Sequence, residues 1–458
     1  MDEFTWEYNT ETTTDDIPVT TKDIIFSDSF NQSIAPYTLP DSLKTIDFGK
    51  HFNQEIGLDV LPNSLECIYF GREFNKLIMK NVLPISLESI TFGKKFNQPI
   101  VVGSLPESLK SIAFGKKFNQ PIVVGSLPES LKSIYFGNSF NQLIVVGSLP
   151  ESLESITFGT KFNQQIGPYV LPNSLKSIKF KHDFNRPIGP NVLPNSLKSI
   201  KFGHNFNRPI GPNVLPDSLE SIKFGVSFDQ PIGPNILPNS LSSMIFGYRY
   251  NQLIKPNDLP NSLSSIIFGQ DFNQPIGPNV LPPLLNYIEF GYRYNRPIGP
   301  NVLPNTIKTI LFGDSFNQPL CENSLPDSLV HIKYGGSYDQ SISELYRLNY
   351  VEHIEIYGQY TAGVIAELLP PGLKYLEIDN ADSVILMDLK PAHMHFSVIC
   401  CDPGRLLDIA YPLMCRSRYL RIIGYDVIGE ERIGDYMYSI AINPKFYQPR
   451  SSAKSARK

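Results

Sequence analysis

The chain has 458 residues, 41% hydrophobic and 18% charged, which is enough apolar content for a core and too much for a disordered chain. A formal net charge of −4 excludes a globally basic nucleic-acid wrapper. No apolar run approaches membrane-spanning length and the start, Met1-Asp2-Glu3-Phe4, is acidic, so neither a membrane span nor a signal peptide is expected.

Residues 1–16 hold six acidic side chains and no basic one, and Phe4, Trp6 and Tyr8 alternate with polar neighbours. This segment reads either as a short strand capping the open end of a repeat array or as a disordered tail carrying a linear motif. From residue 17 to about 346 the chain repeats itself. Leu39-Pro40 recurs as Leu61-Pro62, Leu83-Pro84 and onward to Leu325-Pro326, always 22 residues apart. Carried back to Ile17-Pro18, the frame holds fifteen units without an insertion or deletion. A fixed period in the twenties marks a solenoid built from single chain turns, of the leucine-rich kind.

The unit from Leu193 to Val214 shows the local logic. Leu197, Ile200 and Phe202 follow an apolar-x-x-apolar-x-apolar pattern, whose end alternates as a half-buried strand does. Gly203 ends the strand, and every unit has glycine there except those with Ser27 and Lys181. Phe206 follows at a position that is aromatic in all fifteen units, then Asn207 and Ile210. Pro194, Pro209 and Pro212 forbid a helix inside the unit. The predicted fold is therefore a β-rich, leucine-rich-repeat-like solenoid of stacked 22-residue coils, with a parallel β-ladder and little helix.

After residue 346 the prolines fade but the frame survives: Val351, Ile354 and Ile356 fall in step, then Leu369, Leu373, Leu376 and Ile378, and later Leu420 and Ile422. Residues 347–445 read as degenerate repeats and a C-terminal cap, and 446–458 as a basic disordered tail.

The run Phe-Asn-Gln-Pro-Ile, at Phe96 to Ile100, Phe118 to Ile122 and Phe272 to Ile276, resembles the signature of the FNIP repeat family. These are leucine-rich-like repeats found in social amoebae and in the giant viruses that infect amoebae. The resemblance implies a non-enzymatic interaction scaffold with no catalytic residues. Some members carry an F-box before the repeats and look like substrate receptors of ubiquitin ligases. With sixteen residues before the first unit, an F-box is not expected here.

Within the frame, Asn53, Asn75, Asn97, Asn119, Asn141, Asn163, Asn185, Asn207, Asn251, Asn273, Asn295 and Asn317 occupy one position, which Asp229 and Asp339 also fill. An amide donates and accepts, so stacked copies can satisfy turn backbones inside the coil. The functional alternative is a polar binding strip. Asp229 and Asp339 lack amide donors, so their turns are expected to be looser or to use water.

The variable strand face is the candidate partner surface. Its outward row includes Lys179, Lys201 and Lys223 in successive units, then Ile245 and Ile267. The lysines read either as a solvated, splayed row or as a seat for an acidic or phosphate-bearing partner. Beyond the strands, Tyr248-Arg249 and Tyr292-Arg293 bring the residue types that carry interface energy. With Ile245 and Ile267 they make the predicted protein-binding patch. No nucleic-acid or membrane partner is expected.

No phosphate-cradling glycine loop, nucleophile elbow or zinc-protease motif is present. Cys67, Cys321, Cys400, Cys401 and Cys415 form no pairing pattern and read as reduced thiols of a cytosolic or nuclear protein. His393, His395, Cys400 and Cys401, with Cys415 more distant, are weak zinc candidates. Their spacing matches no recognised zinc pattern, and Cys400 falls at an inward strand position, so thiol packing is the competing reading. No cofactor is expected. Two alternatives to a scaffold remain: a ubiquitin-ligase substrate receptor, and a metal-binding or enzymatic C-terminal region.

Overall fold

The computed structural model describes residues 3–6, 17–357 and 370–379, with further strands at 395–400, 419–424, 432–433 and 436–440. The chain divides into two compact units, Met1–Gly247 and Tyr248–Lys458.

In the first unit, β1 (Glu3–Trp6) precedes β2 (Asp23–Phe26) and a run of three-residue strands spaced by the sequence repeat. These are β3 (Thr45–Asp47), β4 (Cys67–Tyr69), β5 (Ser89–Thr91), β6 (Ser111–Ala113), β7 (Ser133–Tyr135), β8 (Ser155–Thr157), β9 (Ser177–Lys179), β10 (Ser199–Lys201), β11 (Ser221–Lys223) and β12 (Ser243–Ile245). Each pairs in parallel with the next, and every residue faces its own equivalent: Ile200 lies opposite Ile178 on one side and Ile222 on the other. Register carries no offset because equal coils return the chain to the same height. β1 joins the same pattern, pairing Glu3 with Asp23 and Trp6 with Phe26.

The second unit holds β13 (Ser265–Ile267), β14 (Tyr287–Glu289), β15 (Thr309–Leu311), β16 (His331–Tyr334), β17 (His353–Tyr357), β18 (Tyr375–Asp379), β19 (His395–Cys400) and β20 (Tyr419–Gly424), each parallel to its successor. β21 (Arg432–Ile433) and β22 (Tyr436–Ile440) pair antiparallel, and β22 lies parallel to β20. Val351, Ile354, Ile356 and Leu373 are buried as the frame predicts, whereas Leu369 lies outside the described residues. The one helical segment among the described residues is a 3₁₀ turn, Ser343–Arg347, and no helix among them is long and apolar enough to cross a membrane.

Strands this short are held by the stack. The turn before each closes locally, as where Leu197 N–H donates to the Pro194 carbonyl at 3.1 Å. Lys198 and Ser199 N–H then both donate to the Lys176 carbonyl of the preceding coil, at 2.8 and 3.0 Å, and Phe202 N–H donates to the Lys223 carbonyl of the next at 2.8 Å. Each coil thus satisfies its neighbours' backbone groups on both sides, which a lone coil cannot do.

Two aromatic columns fill the interior. Phe92 stacks on Phe96 of its own coil at 3.9 Å and on Phe114 of the next at 5.8 Å, while Phe96 and Phe118 lie 6.1 Å apart. Burial stabilises by about 1.5–3 kcal/mol per ring, and the ring pairs add about 0.5–1.5.

The glycine row has a cause beyond ending the strand. A Cβ on Gly93 would stand 1.6 Å from the Gly71 carbonyl oxygen, so successive coils touch backbone to backbone there. A second corner demands left-handed backbone. Asn213 sits there at φ 58° and Gly125 at φ 77°, which explains why Gly-Pro-Asn units and Val-Val-Gly units interchange without disturbing the coil.

Candidate protein-interaction surface

On the strand face of the first unit, each three-residue strand buries its central residue and turns the next away from the core. Lys179, Lys201 and Lys223 are all exposed, and Lys201 lies in direct register between the other two. Partial burial, then the charges of Lys179 and Lys223, hold the Lys201 ammonium below the usual lysine range. Lys181, which stands where most units have glycine, places its Nζ 4.5 Å from the centre of the Tyr135 ring and against its hydroxyl. Beside this row runs a half-buried serine row, in which Ser221 Oγ donates to Ser199 Oγ at 3.0 Å. Ile245 is half-buried on β12.

In the second unit, Ile267 is half-buried on β13. Tyr248 and Tyr292 are exposed, as are Arg249 and Arg293, while Tyr250 and Tyr294, close behind them in the chain, are wholly buried. Arg293 Nε lies 3.3 Å from Asp271 Oδ1. The hydroxyl of Tyr294 has no hydrogen-bond partner among the described residues, and burial pushes its pKa well above the ordinary tyrosine value.

The asparagines form a ladder from coil to coil. All twelve are half-buried, each directly after a fully buried ring. Their bonds run through the amide oxygen: Asn97 N–H donates to Asn75 Oδ1 at 2.8 Å, and Asp229 N–H to Asn207 Oδ1 at 3.0 Å. The residue after the asparagine completes the link, since Gln120 Nε2 and Arg186 Nε donate to the Asn97 and Asn163 carbonyls at 3.0 and 2.9 Å. Acceptance by oxygen is open to a carboxylate as well, so lack of amide donors does not by itself loosen a coil at aspartate. Asn141, Asn163, Asn185 and Asn207 line a shallow polar trough of about 720 Å³ together with Lys161, Asp183, Asn205 and Ser227.

Two further ladders are invisible within a single unit of sequence. The serine after Leu-Pro-x donates to the preceding coil, as where Ser196 Oγ reaches the Leu175 carbonyl at 2.7 Å. Exposed charges pair across one repeat: Glu154 takes Lys176 at 2.7 Å and Lys132 at 3.3 Å, and Lys198 meets Glu220 at 2.8 Å. The signal for both was the residue one repeat away.

Of the zinc candidates, His393, Cys401 and Cys415 lie outside the described residues, and His395 and Cys400 are placed only as backbone positions of β19. Cys67 is free and half-buried, with its thiol pushed up by burial and then by Glu66, and Cys321 is free and exposed. A different group does come together: His331, His353 and Glu355, whose ligand atoms all lie within 4.8 Å of one another.

Parallel single-turn coils with an inward leucine-rich pattern define a leucine-rich-repeat-like solenoid, a class typical of protein-interaction scaffolds. Matches to the FNIP Repeat tile residues 8–51, 52–95, 96–139, 140–183 and 184–227, and continue in overlapping steps to 316–344, so the chain belongs to the FNIP repeat family. Comparison with curated proteins finds no match. Among solved structures the chain is similar to CroV588, a giant-virus protein described as a novel circular LRR protein, at 37% identity and a TM-score of 0.80. That likeness covers 93% of this chain and 63% of the other, so the chain spans less than two-thirds of the CroV588 length.

Proposed function

We propose that the chain is a non-enzymatic scaffold that binds a protein partner through its variable strand face, and that the lysine row seats an acidic or phosphorylated segment of that partner. The observation that carries this reading is the row itself. Three lysines stand in register on adjacent strands although like charges so placed disfavour one another, and the crowded Lys201 gains most from an approaching anion. The neighbouring serines are small and leave the face accessible. Tyr248, Arg249, Tyr292 and Arg293 serve as exposed anchors in the second unit, with Ile267 on its strand face. Ile245 supplies an apolar contact in the first.

The test is affinity capture from the native cell with the wild type, a Lys179→Glu/Lys201→Glu/Lys223→Glu variant, and a Tyr248→Ala/Arg249→Ala variant. The reading expects one partner that the lysine variant loses, and binding that weakens as salt rises. An unchanged set of captured proteins with both variants contradicts it.

A further inference from the structure

We propose that His331, His353 and Glu355 form a divalent transition-metal site on the strand face of the second unit. Strands β16 and β17 place His331 opposite His353, and Lys333 opposite Glu355. In earlier units the first of these rows is serine from Ser89 to Ser265, then Tyr287 and Thr309, so two successive imidazoles are a departure from the frame. The rings stack with centroids 4.3 Å apart and planes 9° from parallel. Glu355 Oε1 lies 2.8 Å from His331 Nε2 and 3.8 Å from His353 Nε2. Among the described residues, no other three histidines, cysteines or carboxylates bring their ligand atoms so close.

Two imidazoles and one carboxylate are a ligand set for zinc and its first-row neighbours. Metal–ligand bonds of about 2.0–2.2 Å put ligand atoms roughly 3–3.5 Å apart around one ion, a range the two observed separations bracket, so small ring rotations suffice. The side chains are 25%, 34% and 14% exposed for His331, His353 and Glu355, partly shielded yet open enough to leave a coordination position for water. Lys333 approaches the other oxygen, Oε2, at 3.5 Å and leaves Oε1 to the imidazoles, though its charge opposes the ion.

The backbone register continues both rows into the next strands. β18 puts Tyr375 in the histidine row and Glu377 in the Glu355 row, and β19 returns His395 to the histidine row. The first unit supplies an internal control: His182 and His204 also stack, with centroids 4.5 Å apart, but they belong to no such three-ligand group among the described residues.

The experiment uses the full chain, stripped with a chelator and then given zinc chloride or cobalt chloride. Zinc is expected to protect His331 and His353 from carbethoxylation, mapped by mass spectrometry, while His51, His182 and His204 react as before. Cobalt is expected to show d–d bands without a thiolate charge-transfer band. Glu355→Gln should weaken zinc binding by at least about 10-fold, the lower bound known for losing even an outer-sphere partner, and His182→Ala should not. Failure to retain zinc, a thiolate band with His331 and His353 still reactive, or unchanged affinity in Glu355→Gln overturns the proposal. The protection is read on the wild type, so a misfolded variant cannot decide the matter.

Discussion

The backbone N–H of Asn207 donates to Oδ1 of Asn185 at 3.0 Å, joining the same position of two successive coils. The bond makes the asparagine an acceptor for its neighbour, and this sets what a substitution does. Asn185→Ala leaves the Asn207 N–H to water and should cost about 1 kcal/mol. Asn185→Asp keeps the oxygen and should cost clearly less. Urea melts of the two variants separate the acceptor role from any role of the amide donors.

Gly115→Ala should be among the most damaging small substitutions in the chain. Its Cβ would stand 1.7 Å from the Gly93 carbonyl oxygen, and the obstacle is backbone that no rotamer can relieve. A loss of about 3 kcal/mol is expected, seen as a drop in melting temperature, whereas Gly189→Ala has open space and should be nearly silent.

Tyr294→Phe tests the opposite sign. The ring stacks between Phe272 and Phe316 at 6.0 and 6.1 Å, and its buried hydroxyl is without a partner among the described residues. Removing that oxygen keeps the packing and ends a desolvation cost, so stability should rise by about 1 kcal/mol. Thermal melts of the wild type and variant decide it.

Much of the fold was legible in the sequence because the repeat is local arithmetic: the strand position, the aromatic columns and the scarcity of helix among the described residues follow from one unit. What was not legible lay between units. Gly93 looks like a strand terminator until the Gly71 carbonyl is seen against it. Lys176 and Glu154 are unremarkable until the coil brings them to 2.7 Å. His393, His395, Cys400 and Cys401 draw notice as zinc candidates, with thiol packing as the competing reading, because they are near in sequence. In a parallel stack, however, the neighbour of His331 is His353, one full turn away.

Lys201→Thr should stabilise the folded state slightly. The lysine's pKa is lowered on folding, so its charged form is disfavoured there, and the penalty persists at all pH values below that lowered pKa. Relief of the in-register repulsion is worth about 0.2–1 kcal/mol at low salt and should shrink as salt is added. Denaturant melts at two ionic strengths provide the check.

Glu355 gives a pH dependence of the opposite kind. Its carboxyl falls from 4.5 to about 2 on folding, so it contributes stability above about pH 4.5 that is lost as pH falls toward 2. At about 1.4 kcal/mol per unit the contribution is a few kcal/mol. In metal-free protein, Glu355→Gln should flatten that limb of the stability profile.

Each coil lies in zero-offset register on the next, and cysteine cross-linking measures this directly. Ser199 and Ser221 are register partners with their hydroxyl oxygens 3.0 Å apart, and adjacent strands about 4.8 Å apart suit a disulfide. Ser199→Cys/Ser221→Cys should oxidise to an intramolecular bridge between those two positions under mild conditions, identified by peptide mapping. Ser199→Cys/Ser243→Cys, two coils apart, should not. A bridge that forms as readily in the second pair, or fails in the first, contradicts the stacked architecture.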